Sequence, residues 1–159
     1  PKYIFPLTKV TSSLVNLIFS LLALLIVMII TGVKFTLWIL FFPLVIVQIY
    51  FFCLGLSLFL SQAVVFFRDI QYIYGVLTTV WMYLTPVFYP ASVLPDAIRS
   101  IVLYANPMYY YITQFRNIML YGQGSDLNII LGGIAFAGFF LLLGVWSFKR
   151  SQDKFILYI

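Results

Sequence analysis

Charged residues are absent from four long stretches of this chain, and that absence decides what it can fold into. The stretches lie between Lys9 and Lys34, between Lys34 and Arg68, between Asp69 and Asp96, and between Asp126 and Lys149. A bilayer's hydrocarbon core is about 30 Å thick and takes roughly 20 apolar residues at about 1.5 Å rise each. All four stretches are long enough, whereas Arg99 to Arg116 is not. Charged residues make up 8% of the 159 and hydrophobic ones 64%, where a soluble domain carries about 25% charge. No soluble fold of this size hides so much apolar surface.

Reading along the chain, residues 1–10 mix lysines, prolines and aromatics and suit a short structure at the membrane surface. Spans are expected at 11–31, at 37–62 and at 70–88. Pro43 falls near the start of the second, where a missing backbone donor costs least. Pro86 disfavours helix at Thr85 and predicts a break in the third. A fourth span is expected at 127–148, with Gly132, Gly133, Gly138 and Gly144 for close helix contacts, and a tail follows at 149–159.

The segment from Tyr89 to Asp126 reads as two short helices. Pro95-Asp96 places a proline at a helix start and an acid at the positive end of its dipole. Asn106-Pro107 repeats the signal as cap and first residue. Met108, Tyr111, Ile112, Phe115, Ile118 and Met119 then follow a helical stripe, beside the polar Thr113, Gln114, Arg116 and Asn117, and Gly122 and Gly124 end it. Neither piece crosses a bilayer alone, so residues 93–122 are expected to dip in and return, supported by protein or by a wet cavity. The expected fold class is therefore all-α integral membrane, with about four transmembrane helices and a re-entrant helical hairpin between the third and fourth.

Alternating the four spans with both ends cytoplasmic puts Lys2, Lys9, Arg68, Lys149, Arg150 and Lys154 inside and Lys34, Arg99 and Arg116 outside. Six against three obeys the positive-inside rule and places the hairpin on the outer side. The net charge of +5 thus reports orientation; with no basic stripe, it does not point to nucleic acid. Cys53 is the single cysteine, which excludes a disulfide within the chain, and its apolar run suits helix packing.

The chain has no histidine, no GxxxxGK[ST] phosphate loop and no close pair of carboxylates, so hydrolytic, ATP-binding and metal constellations are absent. Asp69, Asp96, Asp126 and Asp153 all fall in loops or at ends, which argues against a proton-coupled transporter. The energy for any transport must come from a partner. Aromatics are 20% of the chain and gather at Trp81, Tyr83, Phe88, Tyr89, Tyr104, Tyr109, Tyr110 and Tyr111. They form either an interfacial belt or a stacking surface for passing sugars. Arg116 is either solvated and snorkelling or set to meet a phosphate or acidic sugar. Arg68-Asp69 is either a plain turn pair or a contact for a motor subunit.

Five stretches taken together resemble one family: FPLTKV from Phe5, FFRDIQYIYGVLTTVWMYLTPVFYP from Phe66, LP at Leu94-Pro95, NPMYYYITQFRNIMLYG from Asn106, and the terminal FKRSQDKFILYI. The chain resembles the membrane (permease) subunit of type-2 ABC exporters for polysaccharides such as O-antigen, teichoic acid or capsule. The resemblance implies a carboxy-terminal part lacking the first two of six spans, which agrees with a start at Pro1 rather than Met. It implies that residues 1–10 couple to the ATPase, through Lys2, Tyr3, Phe5, Pro6 and Lys9, with Arg68 and Asp69 as further contacts, and that the hairpin is a gate. Trp81, Tyr83, Phe88, Tyr89, Tyr109, Tyr110, Tyr111 and Arg116 are then candidates for the substrate path. No cofactor is expected in this chain, ATP and magnesium belonging to the partner subunit. The implied partners are an ATP-binding cassette ATPase, a second permease copy, lipid-linked polysaccharide and membrane lipids. The implied location is the cytoplasmic membrane of a bacterium. A type-2 exporter of a drug or small lipid-like molecule is the alternative, and a membrane-embedded enzyme or scaffold a third reading.

Overall fold

A computed structural model describes residues 3–151, and every regular element among them is helical. In order these are α1 (Ile4–Ile30), a 3-10 turn (Leu37–Phe41) running into α2 (Phe42–Phe66), α3 (Ile70–Leu84), a 3-10 turn (Ala91–Val93), α4 (Asp96–Ala105), α5 (Pro107–Met119) and α6 (Leu127–Ser151). Lys2 and residues 152–159 of the expected tail lie outside the described residues.

Three helical stretches are long and apolar enough to cross a membrane: Ile4–Ile30, Leu37–Phe66 and Leu127–Arg150. The expected third span, at 70–88, is instead a helix of 15 residues, about 22 Å long. Thr85, held extended by the following Pro86, stops it at Leu84. The distance between charges set an upper limit on that helix, and a proline inside the gap set its length.

The start of the chain also differs from the expectation of a separate surface segment. The described part of residues 1–10 continues directly into the first span as one 27-residue helix. Pro6 is its third residue, where the backbone nitrogen has no acceptor within the helix, so proline fits there without breaking a bond. In α2, Pro43 likewise occupies the first turn. In the hairpin Pro95 is the residue just before α4 rather than its first, and Asn106 caps α5 as expected.

The core centres on α2. Phe52, 1% exposed, touches Trp81 of α3, Tyr111 of α5 and Phe140 of α6, with ring centroids 6.2, 5.8 and 4.9 Å apart. Val45, Ile118, Met119 and Ala137 fill in around it, with Met28 of α1 at the edge. Below Phe52 the backbones of α2 and α6 meet at two glycines. A Cβ on Gly55 would collide with the backbone of Phe140 and Leu141, and one on Gly144 with the carbonyl of Gly55. Small residues at such crossings bring helices close where no hydrophobic drive separates protein from lipid. The same two helices are bridged by Ser147, whose hydroxyl donates to Gln62 Oε1 at 2.8 Å.

Gly55→Ala is therefore expected to lower stability by about 1 to 3 kcal/mol through overpacking. Gly138→Ala, whose added carbon meets nothing, should leave stability unchanged or raise it by up to about 1 kcal/mol. Thermal unfolding in detergent compares the two.

Candidate functional site

Between the end of α3 and the start of α4 the chain leaves the α-helix, and one amide joins the end of α3 to the start of α5. Asn106 Oδ1 accepts the indole N–H of Trp81 at 2.7 Å and the backbone N–H of Met108 at 3.0 Å. Its Nδ2 donates to Thr85 Oγ1 at 2.9 Å, and the Thr85 hydroxyl in turn donates to the carbonyl of Trp81 at 2.8 Å. Asn106 is 8% exposed and Thr85 2%. One side chain thus caps α5 and ties it to the last turn of α3.

Two arginines fix the segment between. Arg116 donates to the carbonyl of Val87 at 2.7 Å, from α5 to the stretch following α3. Arg99 donates to the carbonyls of Ala91, Ser92 and Leu94 at 2.9 to 3.1 Å, and pairs with Asp96 at 2.9 Å. A guanidinium carries five donors and no acceptor, so it suits a bend whose carbonyls have lost their helical partners.

The aromatic candidates divide by exposure. Tyr83 and Phe88 are open, at 66% and 80%. Tyr89 is half-buried, its hydroxyl donating to the carbonyl of Tyr83 at 2.7 Å. Trp81 is half-buried between Phe52 and Asn106. Tyr109 meets Tyr110 edge-on with centroids 5.8 Å apart. Tyr110 lies on α6 beside Phe136, at 5.5 Å, over Gly132, where any Cβ would enter its ring. Tyr111 is 1% exposed, and its hydroxyl donates to the carbonyl of Gly133 at 3.1 Å. The two neighbouring glycines of α6 thus accept the two neighbouring tyrosines of α5.

At the opposite end of the helices stand the residues assigned to coupling. Tyr3, Phe5 and Lys9 are exposed and Pro6 is buried, while Arg68 and Asp69 form an exposed turn between α2 and α3. A groove of about 820 Å³ brings Phe5, Pro6 and Lys9 of α1 opposite Ile70, Gln71 and Tyr74 of α3, with α2 as its floor. Among the described residues no cluster of histidine, cysteine or acidic groups is arranged to hold a metal.

With this arrangement in view, the comparison with known families is direct. The ABC-2 type transporter model matches residues 2–120, the stretch that runs from the start of α1 to the end of α5. The chain belongs to the ABC-2 type transporter family. It is a multi-pass membrane protein, and the hairpin falls within the region that this ABC-2 domain shares with its family. The O-antigen export system permease protein RfbA of Myxococcus xanthus is 30% identical over 160 residues, covering 98% of this chain and 60% of that protein. Two Klebsiella pneumoniae proteins of the same name are 24% and 23% identical, with the same coverage. The ABC-2 chain thus spans about 60% of the length of the curated relatives it matches.

Sequence reasoning read Asn106 only as a helix cap, and left Gln48 unremarked. The signal for Gln48 was present, since an amide amid the apolar run of α2 must find a partner in hydrocarbon. Replacing Asn106 with alanine in this ABC-2 domain removes the cap and orphans the Trp81 indole. The expected loss is about 1 to 3 kcal/mol, read by thermal unfolding, with faster hydrogen exchange at Met108.

Proposed function

We propose that this chain forms part of the permease subunit of an ATP-driven exporter that moves lipid-linked polysaccharide across the cytoplasmic membrane of a bacterium. The observation that carries the reading is the pair of short helices, α4 packed on α5 and α5 on α2 and α6, with open aromatic rings beside it and relatives named as O-antigen export permeases. Sugar rings offer flat apolar faces, and Tyr83, Phe88 and Tyr109 suit weak, sliding contact with them. Teichoic acid or a similar polymer fits the same chemistry.

The energy is assigned to a separate ATP-binding cassette ATPase, which holds ATP and magnesium, so this chain is not itself an enzyme. That assignment rests on α2 and α3 containing no Asp, Glu, Lys or Arg, and on α1 and α6 carrying them only near one end, which leaves no proton relay in the bundle. The ATPase would act through Tyr3, Phe5, Lys9 and the Arg68-Asp69 turn, at the end facing the cytoplasm. Closure of the ATPase subunits then tilts the helices and opens a path between two permease copies. A second copy has apolar surface to meet on α3, where Tyr72, Val76 and Tyr83 are more than 60% exposed. Arg116 joins the path as a cation near its outer mouth, already bonded to the Val87 carbonyl.

The test uses the full-length permease with its ATPase in a strain lacking the gene, and measures polysaccharide at the cell surface. Restoration by the wild type is expected, and loss when the ATPase is inactive. Alanine at Tyr83, Phe88 or Tyr109 should each slow export by about two- to tenfold at unchanged protein level, equivalent to about 0.5 to 1.5 kcal/mol of ring contact. Unchanged export in all three leaves those rings as a membrane belt. Normal polysaccharide in the deletion strain, with increased sensitivity to a drug, favours the small-molecule exporter instead.

A further inference from the structure

A set of buried polar groups that the proposed path does not use lies where α2, α5 and α6 meet. Gln48 of α2 and Gln114 of α5 are 3% and 1% exposed, among Val45, Phe52, Tyr111 and Ile118. Gln114 Nε2 donates to Gln48 Oε1 at 3.0 Å, and the same nitrogen reaches the carbonyl of Ile129 on α6 at 3.3 Å. Gln48 Nε2 is buried and makes no hydrogen bond. Gly133 leaves the room: a Cβ there would collide with Gln48 Oε1 and approach Gln114 Nε2 to 2.7 Å.

The depth of this cluster is set by the helices that carry it. Gln48 lies six residues into α2 and Gly133 six into α6, each about 9 Å from its helix start. A polar pair buried to 3% and 1% exposure is cut off from water, so it holds α5 at one level against both long helices. If packing alone were required there, an apolar pair would fill the same space and leave no donor unspent. Instead one amide nitrogen serves acceptors on two helices, and a second amide nitrogen is in reserve. Such a set supports more than one bonded arrangement, so α5 can shift along α2 and α6 without passing through a state in which Gln114 is bare.

We infer that Gln48 and Gln114 are positioning residues for export: they set the depth of the hairpin in the membrane and let it move between bonded levels. The inference rests on the proposed function, and it concerns residues that touch neither cargo nor ATPase.

The experiment compares full-length wild type with the paired variant Gln48→Leu/Gln114→Leu, each assembled with the ATPase. Assembly and thermal stability report the fold, and surface polysaccharide reports export. A nitroxide at Tyr104→Cys, in a cysteine-free background, reports hairpin depth through its accessibility to oxygen and to a water-soluble nickel chelate. Tyr104 is 74% exposed, on α4. The expected result is normal assembly, export reduced by about tenfold, and a changed ratio of the two accessibilities. Export at the wild-type level, or an unchanged ratio, would overturn the inference. So would failure of the paired variant to assemble when Gln48→Met and Gln114→Met fail too, since the amides would then be needed for folding itself. A wild type that restores no surface polysaccharide counts against the proposed function alone, because the depth measurement needs no cargo.

Discussion

Hydrocarbon offers no hydrogen bonds, and the rest of this structure follows from how the chain meets that constraint where its helices are broken. A long helix satisfies its own backbone, so α1, α2 and α6 need little from their neighbours beyond shape. The stretch from Thr85 to Pro95, ahead of α4, satisfies itself only in part. Asn106 ties its Thr85 end to α5, and Arg99 and Arg116 supply donors to four carbonyls along it. Each such bond contributes only about 0.5 to 1.5 kcal/mol, and a polar group left bare away from water would cost more than that bond gains.

That requirement changes the meaning of residues that invite a functional reading. Arg116, a basic group that invites reading as an anion site, also serves the backbone, since one of its five donors is spent on the carbonyl of Val87. A run of three tyrosines looks like a binding surface, yet a helix turns about 100° per residue. The turn sends Tyr111 into the core, lays Tyr110 along α6 and leaves Tyr109 beside it. Function and structural support are thus shared out among adjacent residues of the same type. The paired glycines Gly132 and Gly133 are what make the sharing fit.

Much of this was legible in the sequence for physical reasons that are local. Charge-free length announces helices in lipid, Pro86 announces the end of α3, and Asn106-Pro107 announces α5. What escaped was of two kinds. The mixture of lysines, prolines and aromatics in residues 1–10 suggested a separate surface segment, although Pro6 is harmless in a first turn. The partner of Gln48 escaped because it lies 66 residues away, on a helix whose placement no local pattern specifies. The candidate site was legible as a list of aromatics, and its division into open and buried rings was not, since that depends on how α5 meets α6.

The attachment of α3 carries a mechanical consequence. No residue of this helix is buried, and its firm contacts gather at Trp81 and the adjoining Thr85, next to Phe52 and Asn106. Its other end, at Ile70, borders the open groove against α1. A rod pinned at one end is a lever. Ile70 lies eleven positions before Trp81, about 16 Å of arm, so a sideways displacement of the Ile70 end would turn α3 about its ties at Trp81 and Thr85.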